Sequence, residues 1–421
     1  MELLKKILSS SLWLLIGNSI GRLAMFLANI FAARMLSQES FGQFAMIRNT
    51  ISSVEGLISG TLGSTVIKKV AETSQNQKEN LPYLLSTIFI VNIVFTLSIS
   101  LIIFSFSEII VEKFFLNNTT LISALYIGVF ILIFTTFANL MQNILIGFDE
   151  FKKIATLSII TSTISIPLIF TFIYFFEFYG ALFGVMFYFG FDFLVKYILF
   201  KKLNYLTNFN FTKFKNESKR IILFSTPLLL GIIITSFTFW YSRVLIINQT
   251  NSFKDIAIFD AAFQWLTIIM IITGATTNVA LSMLSKDTNK NSKKIFLINL
   301  LVNFLLSFFI ALFFILFSKQ IMGIYGNDYL TGTLTLKILA ITSIFFTLSS
   351  LLNKFILVNS NIYIIPISSF VSSCFLFVTL FNINNLSSSE KLSISFFIFY
   401  LINFLTYTIC YFIVRKINEN N

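Results

Sequence analysis

The feature that most constrains this chain is a succession of twelve long apolar segments along its 421 residues. Each is about 20 residues or longer, which is enough for a helix to cross the hydrocarbon core of a bilayer. The predicted spans are 10–33, 41–67, 83–106, 120–147, 154–176, 179–200, 221–247, 257–284, 295–317, 332–357, 362–381 and 391–414. The pattern predicts an all-α polytopic membrane protein with twelve transmembrane helices.

Positive charge lies mostly in every second connection between these segments, starting from the N-terminus. Those connections hold 20 of the 30 basic residues. They are Lys5, Lys6, Lys68, Lys69, Lys78, Lys152, Lys153, Lys201, Lys202, Lys213, Lys215, Lys219, Arg220, Lys286, Lys290, Lys293, Lys294, Lys354, Arg415 and Lys416. Because cytoplasmic loops are enriched in Lys and Arg, both termini are predicted to be cytoplasmic, in the inner membrane of a bacterium.

The composition excludes several classes of protein. A hydrophobic fraction of 56% with only 11% charged residues is not that of a soluble globular domain. The net charge of +12 lies in short loops beside the spans, so anionic lipid and topology explain it better than nucleic acid does. The chain has no histidine, which removes histidine-based nucleophilic sites and most transition-metal sites. We therefore predict neither an enzyme nor a metal protein.

The longest hydrophilic connection lies almost halfway along the chain. It divides the sequence into a predicted N-terminal six-helix bundle (1–205), a cytoplasmic linker (206–220) and a C-terminal six-helix bundle (221–421). An even number of spans gives both halves the same orientation, so a duplication would be parallel. The external connections are too short to fold into a catalytic domain, which argues against a polymerase of surface glycans.

Charged residues inside the predicted spans are candidate functional residues, because charges at membrane depth usually face a cavity or a partner. Arg22 lies about 18 Å along the first span. Arg48 and Glu55 share one face of the second span, and Arg243 and Asp260 lie toward the outer ends of spans seven and eight. By depth, Glu55 is the nearest counter-ion for Arg22, so a purely structural bridge is the alternative to a functional role.

Three other charged residues have structural interpretations. Asp192 and Lys196 are spaced i, i+4 in span six, which predicts an ion pair within one helix. Lys337 is close enough to the outer interface to extend its ammonium group to water, and the same alternative applies to Arg243.

An amide stripe on span four has two interpretations, which the sequence leaves open. Asn139, Gln142 and Asn143 follow the i, i+3, i+4 pattern and therefore share one face. Amides of this kind suit sugar hydroxyls. They also form hydrogen bonds between membrane helices.

Several stretches resemble polysaccharide exporters, in the order and spacing that those proteins have. They are 33–44 (ARMLSQESFGQF), 60–69 (GTLGSTVIKK), 141–152 (MQNILIGFDEFK), 224–228 (FSTPL), 258–262 (IFDAA) and 321–329 (IMGIYGNDY). The resemblance covers essentially the whole chain. It indicates the polysaccharide branch of the exporter superfamily that contains the MATE transporters, with Wzx-type O-antigen flippases as the best match. Arg48 and Asp260 depart from the general pattern.

The resemblance implies a MATE-like transporter of two six-helix bundles. Its cargo would be an undecaprenyl-diphosphate-linked oligosaccharide moved from the cytoplasmic to the periplasmic leaflet, with a glycan polymerase and chain-length machinery as partners. On this hypothesis basic side chains bind the diphosphate, amides contact the sugar, and carboxylates exchange H⁺ or Na⁺ to couple transport to an ion gradient. The residues predicted to bind the diphosphate are Arg22, Arg48 and Arg243. Those predicted to contact the sugar are Asn139, Gln142 and Asn143, and those predicted to couple transport to the ion gradient are Glu55 and Asp260.

Other functions remain as alternatives. Within the superfamily these are a MATE-type exporter of small molecules and an exporter of lipid II or another envelope glycan. Lipid II flippases usually carry two more helices, and MATE drug exporters commonly have an acidic residue in the first helix, where this chain has Arg22. Outside the superfamily, the alternatives are a membrane glycosyltransferase and a scaffold for glycan-assembly enzymes. Substrate-dependent translocation would distinguish a flippase from either of them.

Overall fold

The computed structural model describes residues 20–76, 80–202, 211–284, 292–359, 363–383 and 385–420, and it is helical throughout these ranges apart from short connections. The α-helices are α1 (20–35), α2 (Gln38–Asn76), α3 (Leu81–Ser105), α4 (Ser107–Phe114), α5 (Thr120–Gly147), α6 (Phe151–Lys202), α7 (Phe211–Thr250), α8 (Lys254–Leu284), α9 (Ser292–Leu316), α10 (Ser318–Gly323), α11 (Thr333–Asn359), α12 (Ile364–Asn382) and α13 (Ser388–Asn420). A 3₁₀ helix, Asn327–Gly332, precedes α11. The all-α prediction is confirmed.

The predicted apolar segments all fall on helices in their described parts. Within the described ranges, eight helices are long and apolar enough to cross a membrane by length and composition alone. The number of crossings and the side of the termini stay predictions. Some basic residues of the predicted cytoplasmic connections lie outside the described residues: Lys5, Lys6, Lys78, Lys286 and Lys290.

Helix α7 is longer than the span predicted for it. It begins at Phe211, so residues 211–220 of the predicted linker are helical, whereas 206–210 lie outside the described residues. Helix α2 likewise extends to Asn76, beyond the predicted end at 67.

Helix α6 combines predicted spans five and six in one run of 52 residues. Its two arms meet at Glu177, whose φ of 45° and ψ of −118° are not helical. A Cβ at Gly180 would lie 1.9 Å from the carbonyl oxygen of Phe172. Glycine at this position therefore lets the two arms approach closely just after the turn.

The chain forms two compact units. The first contains the described residues up to Leu36 together with Gln43–Ser236, and the second contains Ser37–Gly42 together with Phe237–Asn421. In the first unit α5 packs along α3 and α6, and in the second α13 packs along α11 and α12. The change from one unit to the other thus falls inside α2 and inside α7, and the predicted bundle boundaries stay predictions.

Candidate functional site

Arg22 lies on α1 with an exposed side chain. Within the part of the chain that the structure describes, its guanidinium makes no hydrogen bond and no ion pair, and Glu55 does not contact it as a counter-ion. The backbone beside it is closely packed: the Tyr188 hydroxyl donates to the carbonyl oxygen of Gly21 at 3.4 Å, and a Cβ at Gly21 would lie 2.9 Å from that hydroxyl. A buried tyrosine therefore holds the helix next to an exposed arginine.

Arg48 is half-buried on α2. Its Nη1 donates to the side-chain oxygen of Asn29 on α1, and its Cζ lies 5.6 Å from the ring centre of Phe44, within cation–π range. Asn29 is 6% exposed and was not among the site residues predicted from the sequence. The available signal was an amide inside the first apolar segment, seven residues after Arg22 on the same helix face.

Glu55 is half-buried on α2 and is bonded to an amide rather than to an arginine. The Nδ2 of Asn139, on α5, donates to its Oε1 at 2.7 Å. The contact joins one residue predicted for ion coupling to one predicted for sugar binding.

The rest of the amide stripe also contacts neighbouring helices. The Oε1 of Gln142 accepts a hydrogen bond from the Lys196 ammonium, on α6, at 3.0 Å. The Nδ2 of Asn143 would lie 2.9 Å from a Cβ built at Gly63 on α2, so it packs tightly there. Of the two interpretations left open by the sequence, these contacts favour hydrogen bonding and packing between helices.

Asp192 and Lys196 form the ion pair that their spacing predicted. The Lys196 Nζ lies 2.6 Å from the Asp192 Oδ2, and the two side chains are 1% and 12% exposed. The Thr161 hydroxyl, on the other arm of α6, donates to the Asp192 Oδ1 at 3.4 Å. A fully buried ammonium thus has a carboxylate partner and, in Gln142, an amide partner.

Arg243 and Asp260 form a second buried pair, which was not predicted from the sequence. The Arg243 Nη2 and Nε donate to the Asp260 Oδ1 at 3.2 and 3.3 Å, and its Nη1 donates to the carbonyl oxygen of Phe239 at 2.8 Å. Arg243 is 3% exposed and Asp260 is 2% exposed. Residues predicted for cargo binding and for ion coupling are therefore partners of each other.

Aromatic rings surround the Arg243 guanidinium. Its Cζ lies 5.1, 5.5 and 5.4 Å from the ring centres of Phe259, Phe263 and Phe396. Ring faces stabilise a desolvated cation by cation–π attraction. Lys337, by contrast, is half-buried on α11 and has no polar partner among the described residues.

The described residues contain no group of three or more His, Cys, Asp or Glu side chains that could hold a metal ion. Among the described residues, the first unit holds the exposed Arg22, the half-buried Arg48 and Glu55, and the buried Asp192–Lys196 pair. The second unit holds the buried Arg243–Asp260 pair and the half-buried Lys337. Charged side chains within apolar helices are suited to binding ions and anionic groups.

Residues 7–270 match the model of a family described as polysaccharide biosynthesis protein. No curated protein sequence matches the chain significantly.

Solved structures with the same fold are membrane transporters. An inward-facing multidrug resistance MATE family transporter of the MOP superfamily aligns with a TM-score of 0.76 at 15% identity, over 96% of this chain and 99% of that one. The lipid II flippase MurJ, in an inward closed conformation, aligns with a TM-score of 0.74 at 15% identity, over 94% of this chain and 86% of that one. A point mutant of the Vibrio cholerae MATE transporter VcmN has a TM-score of 0.68 at 12% identity, over 99% and 97%. At these identities the likeness shows the fold alone.

Proposed function

Because this chain belongs to the polysaccharide biosynthesis protein family, we propose that it is a flippase for a lipid-linked glycan. The cargo is an oligosaccharide repeat unit, of an O-antigen or a similar surface polysaccharide, carried on undecaprenyl diphosphate. It moves from the cytoplasmic to the periplasmic leaflet of the bacterial inner membrane, where a polymerase and chain-length machinery use it. Its bonds are unchanged by the transfer, so the chain acts as a transporter and not as an enzyme.

The observation that carries this proposal is the state of Arg22. Arg48, Lys196 and Arg243, which also lie in apolar segments, have polar partners. Lys337 shares with Arg22 the lack of a polar partner among the described residues, but it is half-buried. Arg22 is exposed and has no polar partner among the described residues. A charge at membrane depth is costly unless water or an anion is beside it. A diphosphate accepts charge-assisted hydrogen bonds from a guanidinium such as that of Arg22. Arg48, on α2, supplies a second cation for the diphosphate and lies seven residues before Glu55 on the same helix.

Coupling to an ion gradient is assigned to Glu55. Its carboxylate is half-buried and accepts a hydrogen bond from the neutral Asn139 amide, and it has no basic partner among the described residues. Asp260 was the other candidate, but it already has Arg243 as a buried counter-ion. The bonds that Asn139 and Gln142 make to Glu55 and Lys196 support an interhelical role for the amide stripe, and its contact with sugar stays a prediction.

The first test measures the lipid-linked repeat unit in each leaflet of a strain that lacks this chain. We expect accumulation on the cytoplasmic side, relieved by the wild-type chain but not by Arg22→Ala at equal abundance. Loss of a charged hydrogen-bonding group worth about 1.5–3 kcal/mol lowers the transfer rate roughly ten- to hundredfold. Arg22→Lys separates charge from the planar guanidinium fork. Arg34→Ala, on the same helix just beyond the predicted span, is the matched control and should transfer normally.

The coupling role is tested with Glu55→Gln. This variant keeps an oxygen for the Asn139 amide but removes the titratable charge. The dependence of transfer on the ion gradient should weaken while protein abundance stays normal. Glu72→Gln, near the other end of α2, serves as the control because its carboxylate is exposed beside Lys69. A gradient response of Glu55→Gln equal to that of the wild type refutes the coupling role.

The fold shared with a multidrug resistance MATE transporter favours one other function, the export of small molecules. The same deletion strain distinguishes the two. If its lipid-linked pool is distributed as in the wild type while it becomes sensitive to a small toxic compound, glycan transfer is refuted and small-molecule export takes its place.

A further inference from the structure

The first turn of α2 belongs to the second unit, although the rest of that helix belongs to the first. The change occurs between Gly42 and Gln43. Arg48 lies six residues beyond Gly42, about 9 Å along the helix axis. The residues that hold this turn therefore set the starting point of the helix that carries Arg48 and Glu55.

Glu39 binds the start of α8. Its two carboxylate oxygens accept hydrogen bonds from the backbone N–H of Phe253, both at 3.1 Å, and its Oε2 accepts one from the Ser252 hydroxyl at 2.7 Å. Asn251, just before, has a φ of 50°, a left-handed conformation that Asn tolerates well. A carboxylate at a helix N-terminus satisfies otherwise unpaired N–H groups and interacts favourably with the helix dipole.

Two neighbours of Glu39 bind the 3₁₀ helix before α11. The Gln38 amide donates to the carbonyl oxygen of Asp328 at 2.9 Å. Phe41 is fully buried, and its ring meets that of Tyr329 edge to face, with centres 6.1 Å apart. The turn is thus fixed by a carboxylate, an amide and an aromatic ring together.

Gly42 permits the closest of these contacts. A Cβ at this position would lie 2.0 Å from the carbonyl oxygen of Phe253 and 2.8 Å from its Cβ, distances that no side chain accommodates without movement of the backbone. The first turn of α2 and the start of α8 are in direct backbone contact here.

We propose that this anchor, formed by Gln38–Gly42 with Ser252, Phe253, Asp328 and Tyr329, stays closed throughout the transport cycle. It is the fixed point from which α2 bends, and Glu39 is its positioning residue. The proposal rests on the proposed function in that it assumes a transport cycle in which the two units move. The anchor is held by several short contacts, one of which is a close approach between the backbones of Gly42 and Phe253. The segment from Gln43 to Arg48, by contrast, belongs to the other unit.

The test locks the anchor with a crosslink. Gln38→Cys and Asp328→Cys are combined in a chain whose natural cysteines are replaced (Cys374→Ser, Cys410→Ser), and a short, reductively cleavable thiol crosslinker joins them. Because a contact that never opens loses nothing when locked, the crosslinked protein should transfer cargo within about twofold of the same protein after cleavage. A loss of about tenfold or more, restored by cleavage, refutes the fixed anchor. Each single cysteine variant, treated with the same reagent, is the control.

Hydrogen exchange gives a second measurement that does not depend on transport. The Phe253 amide should stay equally protected with and without cargo and at each ion concentration. Glu39→Ala should raise its exchange rate and lower transfer, Glu39→Gln should restore part of both, and Glu72→Ala on the same helix should change neither. If cargo or ions change the Phe253 protection in the wild type, the anchor opens and the proposal fails. If the wild type transfers no lipid-linked glycan, the proposed function fails while the exchange measurement still decides the anchor.

Discussion

The two units bury their ion pairs in different ways. In the first unit, Asp192 and Lys196 are four residues apart on α6, and the pair is completed by neutral hydrogen-bonding groups. In the second unit, Arg243 on α7 and Asp260 on α8 belong to separate helices. The first pair is therefore formed by a single helix, whereas the second joins two.

The surroundings of the two cations differ accordingly. The Lys196 ammonium has an amide oxygen, that of Gln142, at 3.0 Å, and the Arg243 guanidinium lies among the faces of Phe259, Phe263 and Phe396. A compact ammonium is well served by a few oxygen acceptors, while a planar guanidinium is stabilised by stacking on rings. The ammonium in the first unit is thus stabilised by oxygen acceptors, and the guanidinium in the second unit is stabilised by aromatic rings.

The largest effect is expected for Asp260→Ala. It leaves the Arg243 guanidinium buried without a counter-ion, and arginine does not lose its proton at accessible pH. The free energy of unfolding of the purified protein in detergent should fall by about 3–5 kcal/mol. The double variant Arg243→Met with Asp260→Leu removes both charges and should be close to the wild type. A single variant as stable as the double one contradicts the pairing.

A smaller effect is expected for Asp192→Ala in the first unit. Lys196 keeps the Gln142 oxygen as a hydrogen-bond acceptor, so the destabilisation should be about 1–3 kcal/mol in the same unfolding measurement. Glu150→Ala is the matched control, because Glu150 pairs with Lys153 at the same 2.6 Å but at the surface. Its cost should be about 1 kcal/mol or less. Equal losses for the two variants would mean that burial of the pair adds nothing.

The smallest effect is expected for Phe263→Leu, which removes one ring face from Arg243 but keeps an apolar side chain. The loss of one cation–π contact should cost about 1 kcal/mol in thermal or denaturant unfolding. Phe309→Leu, at a 62% exposed position on α9, is the control and should be nearly neutral. If removal of the ring destabilises as much as Asp260→Ala does, the rings rather than the carboxylate hold the guanidinium.

Contacts within one helix were predictable from the sequence. A run of about 20 apolar residues has to form a helix in lipid because no water satisfies its backbone, so the helix positions followed from the apolar segments. The Asp192–Lys196 pair followed in the same way, because the helix itself fixes the distance between positions i and i+4.

Contacts between helices were not predictable. Arg243 and Asp260 are 17 positions apart, and Glu55 and Asn139 are 84 apart. Whether such residues meet depends on how each helix is rotated about its axis, and a helix that is apolar all round carries little sequence signal for that rotation. Depth alone predicted Glu55 as the counter-ion of Arg22, whereas the structure gives it the Asn139 amide.

The turn at Glu177 bears on how the chain is made. The two arms of α6 meet at a single non-helical residue, Glu177. Three residues later, Gly180 packs against the backbone of Phe172, which brings the two arms into close contact. No length of polar chain is present there to cross the membrane separately from the arms. The two arms are therefore expected to leave the translocon together as one preassembled hairpin, and an epitope inserted at Glu177 should impair biogenesis before it affects any mature activity.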